Sequence, residues 1–196
     1  MTKNYKSLRV AGLLLLIGAF QNIIVISIAE AFTDNALDRG YSVARNVISD
    51  LGVGPTALLF NTSVFLFGVL FLLSGYMIFL SFRDRILLAL FFLTGIGDLG
   101  VGLFPETILL PHSISAFFIF VFGGLVAIKA YKVEKSPLNY LSVLIGVFSL
   151  ATLFFFSMGI YLGLGIGGME RMIVYPTLIW AVTFGGYLIG SKGTAQ

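Results

Sequence analysis

The chain reads as six apolar runs, 8–29, 57–82, 86–104, 112–130, 138–162 and 171–189, separated by polar passages. Each run approaches or exceeds the roughly 20 residues a helix needs to cross the hydrocarbon core of a bilayer. Inside lipid every backbone N–H and C=O must bond within the structure, so apolar runs this long predict helices. A membrane β-barrel would show alternating segments of about ten residues, and this pattern has none. The expected fold is therefore all-α, a bundle of six transmembrane helices forming one domain over 1–196. One passage, 30–56, is long for a connection without structure of its own. Over 41–51 it shows helical spacing, with Val43, Val47, Ile48 and Leu51 on one face and Ser42, Arg45, Asn46, Ser49 and Asp50 on the other. That predicts a short interfacial helix over the bundle, acting either as a lid on a pocket or as a plug over the helix ends.

Composition agrees with this picture and removes several chemistries. Hydrophobic residues make up 58% and charged residues 11%, with a mean hydropathy of +1.03, against roughly 25% charged residues in soluble domains. There is no cysteine, which excludes disulfides, thiolate catalysis and cysteine-held metals. The single histidine, His112, excludes sites that need several histidines from one chain. The first apolar run is too long for the core of a signal peptide, and no small-residue cleavage site follows it. It is expected to stay as a span.

Charge then sets the orientation. If the N-terminus is cytosolic, the inner segments hold Lys3, Lys6, Arg9, Arg83, Arg85, Lys129, Lys132, Lys135 and Lys192. The outer segments hold only Arg39, Arg45 and Arg171. The positive-inside rule therefore predicts a multi-pass protein of the cell membrane with both termini in the cytosol. The acids run the other way, with Glu30, Asp34, Asp38, Asp50, Glu106 and Glu170 outside and Asp84 and Glu134 inside. The net charge of +3 thus reflects orientation and contact with anionic lipid. No nucleic-acid partner is expected.

Candidate chemistry gathers at the predicted outer end. Asp98 is the one carboxylate within a span, about 9 Å below the outer end of its helix at 1.5 Å per residue. A carboxylate at that depth is costly and usually faces the bundle interior with a partner. Gly95, Gly97, Gly100 and Gly102 around it leave room either for neighbouring helices or for a ligand. His112, just after Pro111 and near Glu106, suits a general base, a metal ligand or a plain helix start. Glu170 is placed to complement the dipole at the start of the sixth span. Arg171 either snorkels or pairs with a neighbour, or grips a phosphate or carboxylate. Tyr175 lies one turn further on. Asn22, Gln21 and Asn61 are expected as pocket wall, because buried amides in membranes bond across helices.

Two motif matches fail on context. Gly163-Leu164-Gly165-Ile166-Gly167-Gly168 has dinucleotide-fingerprint spacing but follows a span instead of a strand. Asn61-Thr62-Ser63 is a glycosylation sequon inside a predicted span.

A family resemblance is carried by Ile48-Ser49-Asp50-Leu51-Gly52, Pro55, Phe60-Asn61 and Gly68. Gly102-Leu103-Phe104-Pro105 with His112, and the glycine-Glu-Arg start of the sixth span, extend it. The chain resembles the prokaryotic six-span family known as domain of unknown function 998. More distantly, the Ser-Asp-x-Gly element and His112 are similar to the Frag, DRAM and Sfk membrane proteins. That second resemblance would imply lipid remodelling, although the proline-glutamate pattern of those proteins is absent. Ceramidase-like hydrolases need more histidines than this chain has.

The expected function is to bind or modify a lipid or other anionic amphiphile in a polar pocket opening to the extracytosolic leaflet. Asp98 and His112 are the catalytic candidates. Arg45, Asn46, Ser49, Asp50, Asn61, Glu106, Glu170, Arg171 and Tyr175 are the ligand-binding candidates. No cofactor is expected, with a divalent metal at Asp50, Asp98, His112 or Glu170 left open. Membrane lipids are the expected partners, and a homo-oligomer or a larger membrane complex stays open. Two other classes remain: a non-catalytic subunit of such a complex, or a small proton- or cation-coupled transporter. The sequence places no charge in the inner half of the bundle to continue a transport path.

Overall fold

The structure is a computed structural model describing residues 5–36 and 40–191, without the side chains of 5 and 34–36. Lys3, Asp38, Arg39, Lys192 and the Asp34 side chain, used above in the charge count, lie outside the described residues. Six helices dominate: α1 (Tyr5–Ala36), α2 (Ala57–Phe82), α3 (Arg85–Leu103), α4 (Leu109–Lys129), α5 (Leu138–Ser157) and α6 (Gly165–Gly190). All six are long and apolar enough to cross a membrane, and the described residues contain no strand. This is an integral membrane protein.

Boundaries follow local chemistry. α2 spans the 26 residues expected of it and stops where Arg83 turns left-handed, with φ 56°. Asp84 then caps α3, its side chain accepting from the N–H groups of Ile86 and Leu87 at 3.0 Å each. Three ends differ from expectation by five residues or more. α1 runs on past Glu30 to Ala36, because Glu30 is paired and does not end the helix. α5 stops at Ser157, since Gly159 adopts φ 70° and breaks the run there. α6 starts at Gly165, within what the glycines suggested was a link. Glu170 and Arg171 therefore sit in its second turn and do not open it.

The long passage also differs. It holds a turn over 43–46 and a five-residue 3₁₀ helix, Ile48–Gly52, in place of one amphipathic helix over 41–51. Val47 is extended, with φ −69° and ψ 160°, and so separates the two. Ile48, Leu51 and Gly52 are buried, while Val43, expected on the same face, is exposed.

Each helix packs against the next in chain order, and α6 closes the ring on α1. Polar side chains pin neighbours together. Ser74 Oγ donates to the Ala11 carbonyl at 2.9 Å, and Gln21 exchanges hydrogen bonds with the hydroxyl and carbonyl of Ser63. Large apolar side chains such as Leu58, Leu109, Leu110 and Leu144 stay exposed around the ring, as a lipid-facing surface requires.

Candidate functional site

The long loop is held on the bundle by Arg171, whose side chain is buried. Its Nε and one terminal nitrogen donate to Glu30 Oε1 at 2.9 and 2.6 Å. That second nitrogen also donates to the Tyr41 hydroxyl. The other terminal nitrogen donates to the carbonyls of Val43, Asn46 and Gly167 at 3.0, 2.8 and 2.8 Å. Every arm of the guanidinium is thereby engaged by protein, which accounts for its use of a planar five-donor group. Burial pushes the Tyr41 phenol up to about 12, against the opposing pull of Arg171, so it stays neutral. Tyr175, one turn along α6, interacts with the same guanidinium. The loop backbone lies so close to α6 that a Cβ on Gly167 would stand 2.0 Å from the Asn46 carbonyl oxygen.

A second group of contacts shapes the loop itself. Asn46 Nδ2 donates to Asp50 Oδ2 at 2.8 Å, and Asn46 Oδ1 accepts from the Ser42 N–H at 3.1 Å. Asn61 Nδ2 donates to the Gly52 carbonyl at 2.9 Å, fixing the 3₁₀ helix to α2. The carboxyl groups of Asp50 and Glu106 lie close enough to influence one another. Burial, then the Asp50 carboxyl, then the charge of Glu170 push Glu106 up to about 7. Arg45 is exposed and makes no ion pair among the described residues.

Beneath the loop the ring encloses a cavity with an empty volume of about 740 Å³ including its opening. It is lined from five of the six helices and from the 3₁₀ helix. Most of the lining is apolar, with Phe60, Phe67, Phe71, Phe120 and Trp180 as the large side chains. Phe67, Phe71, Phe91, Trp180 and Phe184 form a continuous row of ring contacts, with Trp180 and Phe184 stacked at 5.0 Å. The polar lining is Asn22, Ser49, Thr94, Asp98, Thr177 and Glu170. The hydroxyls of Thr94 and Thr177 are already bonded to carbonyls of their own helices. Glu170 accepts from the Ile48 N–H and so holds the 3₁₀ helix over the cavity.

Asp98 is 3% exposed, and its Oδ2 is the one buried side-chain polar atom among the described residues with no hydrogen-bond partner. Leaving such an atom unpaired costs about 1–3 kcal/mol, and more if it is charged. The surrounding glycines do not make its space. A Cβ on Gly97 would stand 2.7 Å from the Ser115 carbonyl oxygen, and one on Gly100 2.1 Å from Ser115 Oγ. They let α4 press against α3.

His112 is buried. Its Nδ1 lies 2.8 Å from the Phe104 carbonyl and its Nε2 lies 3.1 Å from Ser49 Oγ. A carbonyl only accepts, so Nδ1 carries the proton and Nε2 of the neutral ring accepts from the Ser49 hydroxyl. His112 is bonded to Phe104 and Ser49 and not to Asp98, the other catalytic candidate. Asp50, Asp98, His112 and Glu170 do not converge as ligands either. Among the described residues no group of three His, Asp or Glu side chains is arranged to hold a metal ion.

The predicted site residues thus divide. Ser49, Asp98 and Glu170 face one cavity, with His112 behind Ser49. Asn46, Asp50, Asn61 and Glu106 build the loop over it. Arg171 and Tyr175 anchor that loop, and Arg45 stands apart. Neither Arg45 nor Arg171, both ligand-binding candidates, lines the cavity.

Sequence reasoning missed Glu30 and Tyr41 as the partners of Arg171, since both read as loop. It also missed Glu134, 8% exposed at the end of the bundle away from the loop. Glu134 accepts from Ser142 Oγ, and that hydroxyl accepts from Trp180 Nε1 at 3.0 Å. Burial pushes Glu134 up to about 6 despite the Ser142 bond.

The family model described as "Protein of unknown function (DUF998)" matches residues 16–187. No curated protein and no solved structure matches the chain.

Proposed function

The chain belongs to the family of unknown function 998, and from its geometry we propose that it takes an amphiphile into the cavity within its ring of helices. The apolar part lies among Phe60, Phe67, Phe71 and Phe120, and the head lies at Ser49, Asp98 and Glu170. The observation that carries this reading is the unpartnered Oδ2 of Asp98, buried in a cavity whose lining is otherwise mostly apolar. A ligand that donates a hydrogen bond, or carries a cation, supplies the missing partner. Two carboxyl groups and no basic group in the lining favour an uncharged hydroxyl-bearing head or an ammonium head. The excess of basic residues at the end away from the loop supports a cavity nearer the extracytosolic leaflet, with both termini cytosolic.

The test is mass spectrometry of lipids retained by protein purified in mild detergent. A stoichiometric amphiphile is expected in the wild type and at least a fivefold loss in Asp98→Asn. Gly123→Leu should abolish retention by filling the cavity, since a Cβ at Gly123 meets nothing nearer than 3.8 Å. Equal lipid content in all three proteins would overturn the reading.

A further inference from the structure

We infer that Ser49 is a nucleophile and His112 its general base, and that the site cleaves acyl esters of amphiphiles with an uncharged or cationic head. This deepens the cavity reading and rests on it. Three observations converge. Ser49 is one of the residues that line the cavity. His112 Nε2 stands 3.1 Å from Ser49 Oγ, within reach for proton transfer. The Phe104 carbonyl holds Nδ1–H at 2.8 Å, which fixes the tautomer with its free lone pair on Nε2. A serine nucleophile needs a base in that tautomer, held by a third group.

The pair is also held in place from outside. The preceding residue, Ile48, donates its N–H to Glu170, and the following residue, Asp50, accepts from Asn46 Nδ2. Ser49 thus sits on a short 3₁₀ helix tied at both flanks, while His112 is fixed on α4. The apolar lining would receive the acyl chain, and the open Asp98 oxygen would take a hydroxyl or ammonium of the head.

The reaction balances with water as co-reactant. Ser49 Oγ bonds to the ester carbonyl carbon while its proton passes to His112 Nε2, and the C=O π pair moves to oxygen. As the carbonyl reforms, the bond from carbon to the alcohol oxygen breaks. The leaving oxygen takes the proton from His112 and departs as the alcohol. Water then gives a proton to His112 and attacks the acyl-serine. Ser49 regains the proton as the carboxylic acid is released.

The experiment is labelling of the full-length protein with a long-chain alkyl fluorophosphonate, read by peptide mass spectrometry. Wild type, Ser49→Ala, His112→Gln and Gly186→Ala are compared, with retained lipid measured on the same samples. Removing a general base costs about 10²–10⁴-fold in rate. Labelling at Ser49 is therefore expected in wild type and in Gly186→Ala, where an added methyl meets nothing within 4 Å, at least 100-fold slower in His112→Gln, and absent in Ser49→Ala. Unchanged lipid content and thermal midpoint in Ser49→Ala would show that the label is lost for lack of the hydroxyl. Retained, Asp98-dependent lipid without wild-type labelling overturns the nucleophile and leaves the cavity reading standing. Labelling that persists in Ser49→Ala or at full rate in His112→Gln also overturns it. Loss of lipid dependence on Asp98 overturns the cavity reading on which it rests.

Discussion

Replacing Arg171 with Gln should detach the loop from the bundle. The guanidinium donates to one carboxylate, one phenol and three carbonyls drawn from α1, the loop and α6. Glutamine keeps a comparable stem but offers two donors and no charge. Removing one partner from a buried ion pair costs about 3–5 kcal/mol, because the other charge is left without compensation. Here that charge is Glu30, whose side chain is 18% exposed against 3% for Arg171, so water can partly repair it. The lower half of the range, about 3–4 kcal/mol, is the expectation. At about 2–4 °C per kcal/mol for a chain of this length, the midpoint should fall by about 10 °C. Trp180 is the single tryptophan, 1% exposed and stacked on Phe184, so its emission reports unfolding in detergent. Arg171→Lys should recover less than half of the loss, since an ammonium cannot span acceptors on three elements. Glu30→Gln combined with Arg171→Gln should cost clearly less than the sum of the two single changes. A midpoint within 2 °C of wild type for Arg171→Gln would refute the argument that this residue anchors the loop.

Two further outcomes follow from the same contacts. Glu106 has a raised pKa in the fold, so its contribution is fully present below about 4.5, its ordinary value, and is lost as pH rises through about 7. Partial exposure reduces this to roughly 1–2 kcal/mol. Thermal midpoints of wild type should therefore fall between pH 4.5 and 7 relative to Glu106→Gln, which has no carboxyl to titrate; parallel curves would contradict the raised pKa of Glu106. Gly167→Ala should destabilise by about 1–3 kcal/mol through its clash with the loop carbonyls. Gly186→Ala, where nothing lies within 4 Å, should be neutral or stabilising by the helix propensity of alanine, and equal effects of the two would contradict the close approach of loop and α6.

Span number and helical class were legible because lipid leaves a long apolar run no alternative to a helix. α2 was legible to its ends, since Gly54-Pro55 before it and Arg83-Asp84 after it are strong local breaks. The beginning of α6 was not. Its glycines read as a link, yet they are there to let the loop backbone lie against the helix, which is a tertiary cause. The end of α1 was hidden for a related reason, since an acid normally closes a span and Glu30 stays because Arg171, 141 residues away, compensates it. Asp98 could be singled out as a lone intramembrane carboxylate without any fold. The partner of His112 could not, because Ser49 lies 63 residues away and shared its predicted face with other polar residues. Arginine at 171 looked like a ligand grip because sequence shows donors and not the acceptors that consume them.

The most direct measurement is an experimental density map of the protein in lipid nanodiscs, resolved well enough to place a ligand in the cavity. The expected result is an elongated density among Phe67, Phe71 and Phe120, with a polar head about 2.7–3.2 Å from Asp98 Oδ2. A cavity holding only water, or one closed by its own side chains with Asp98 turned to a protein donor, would contradict the account.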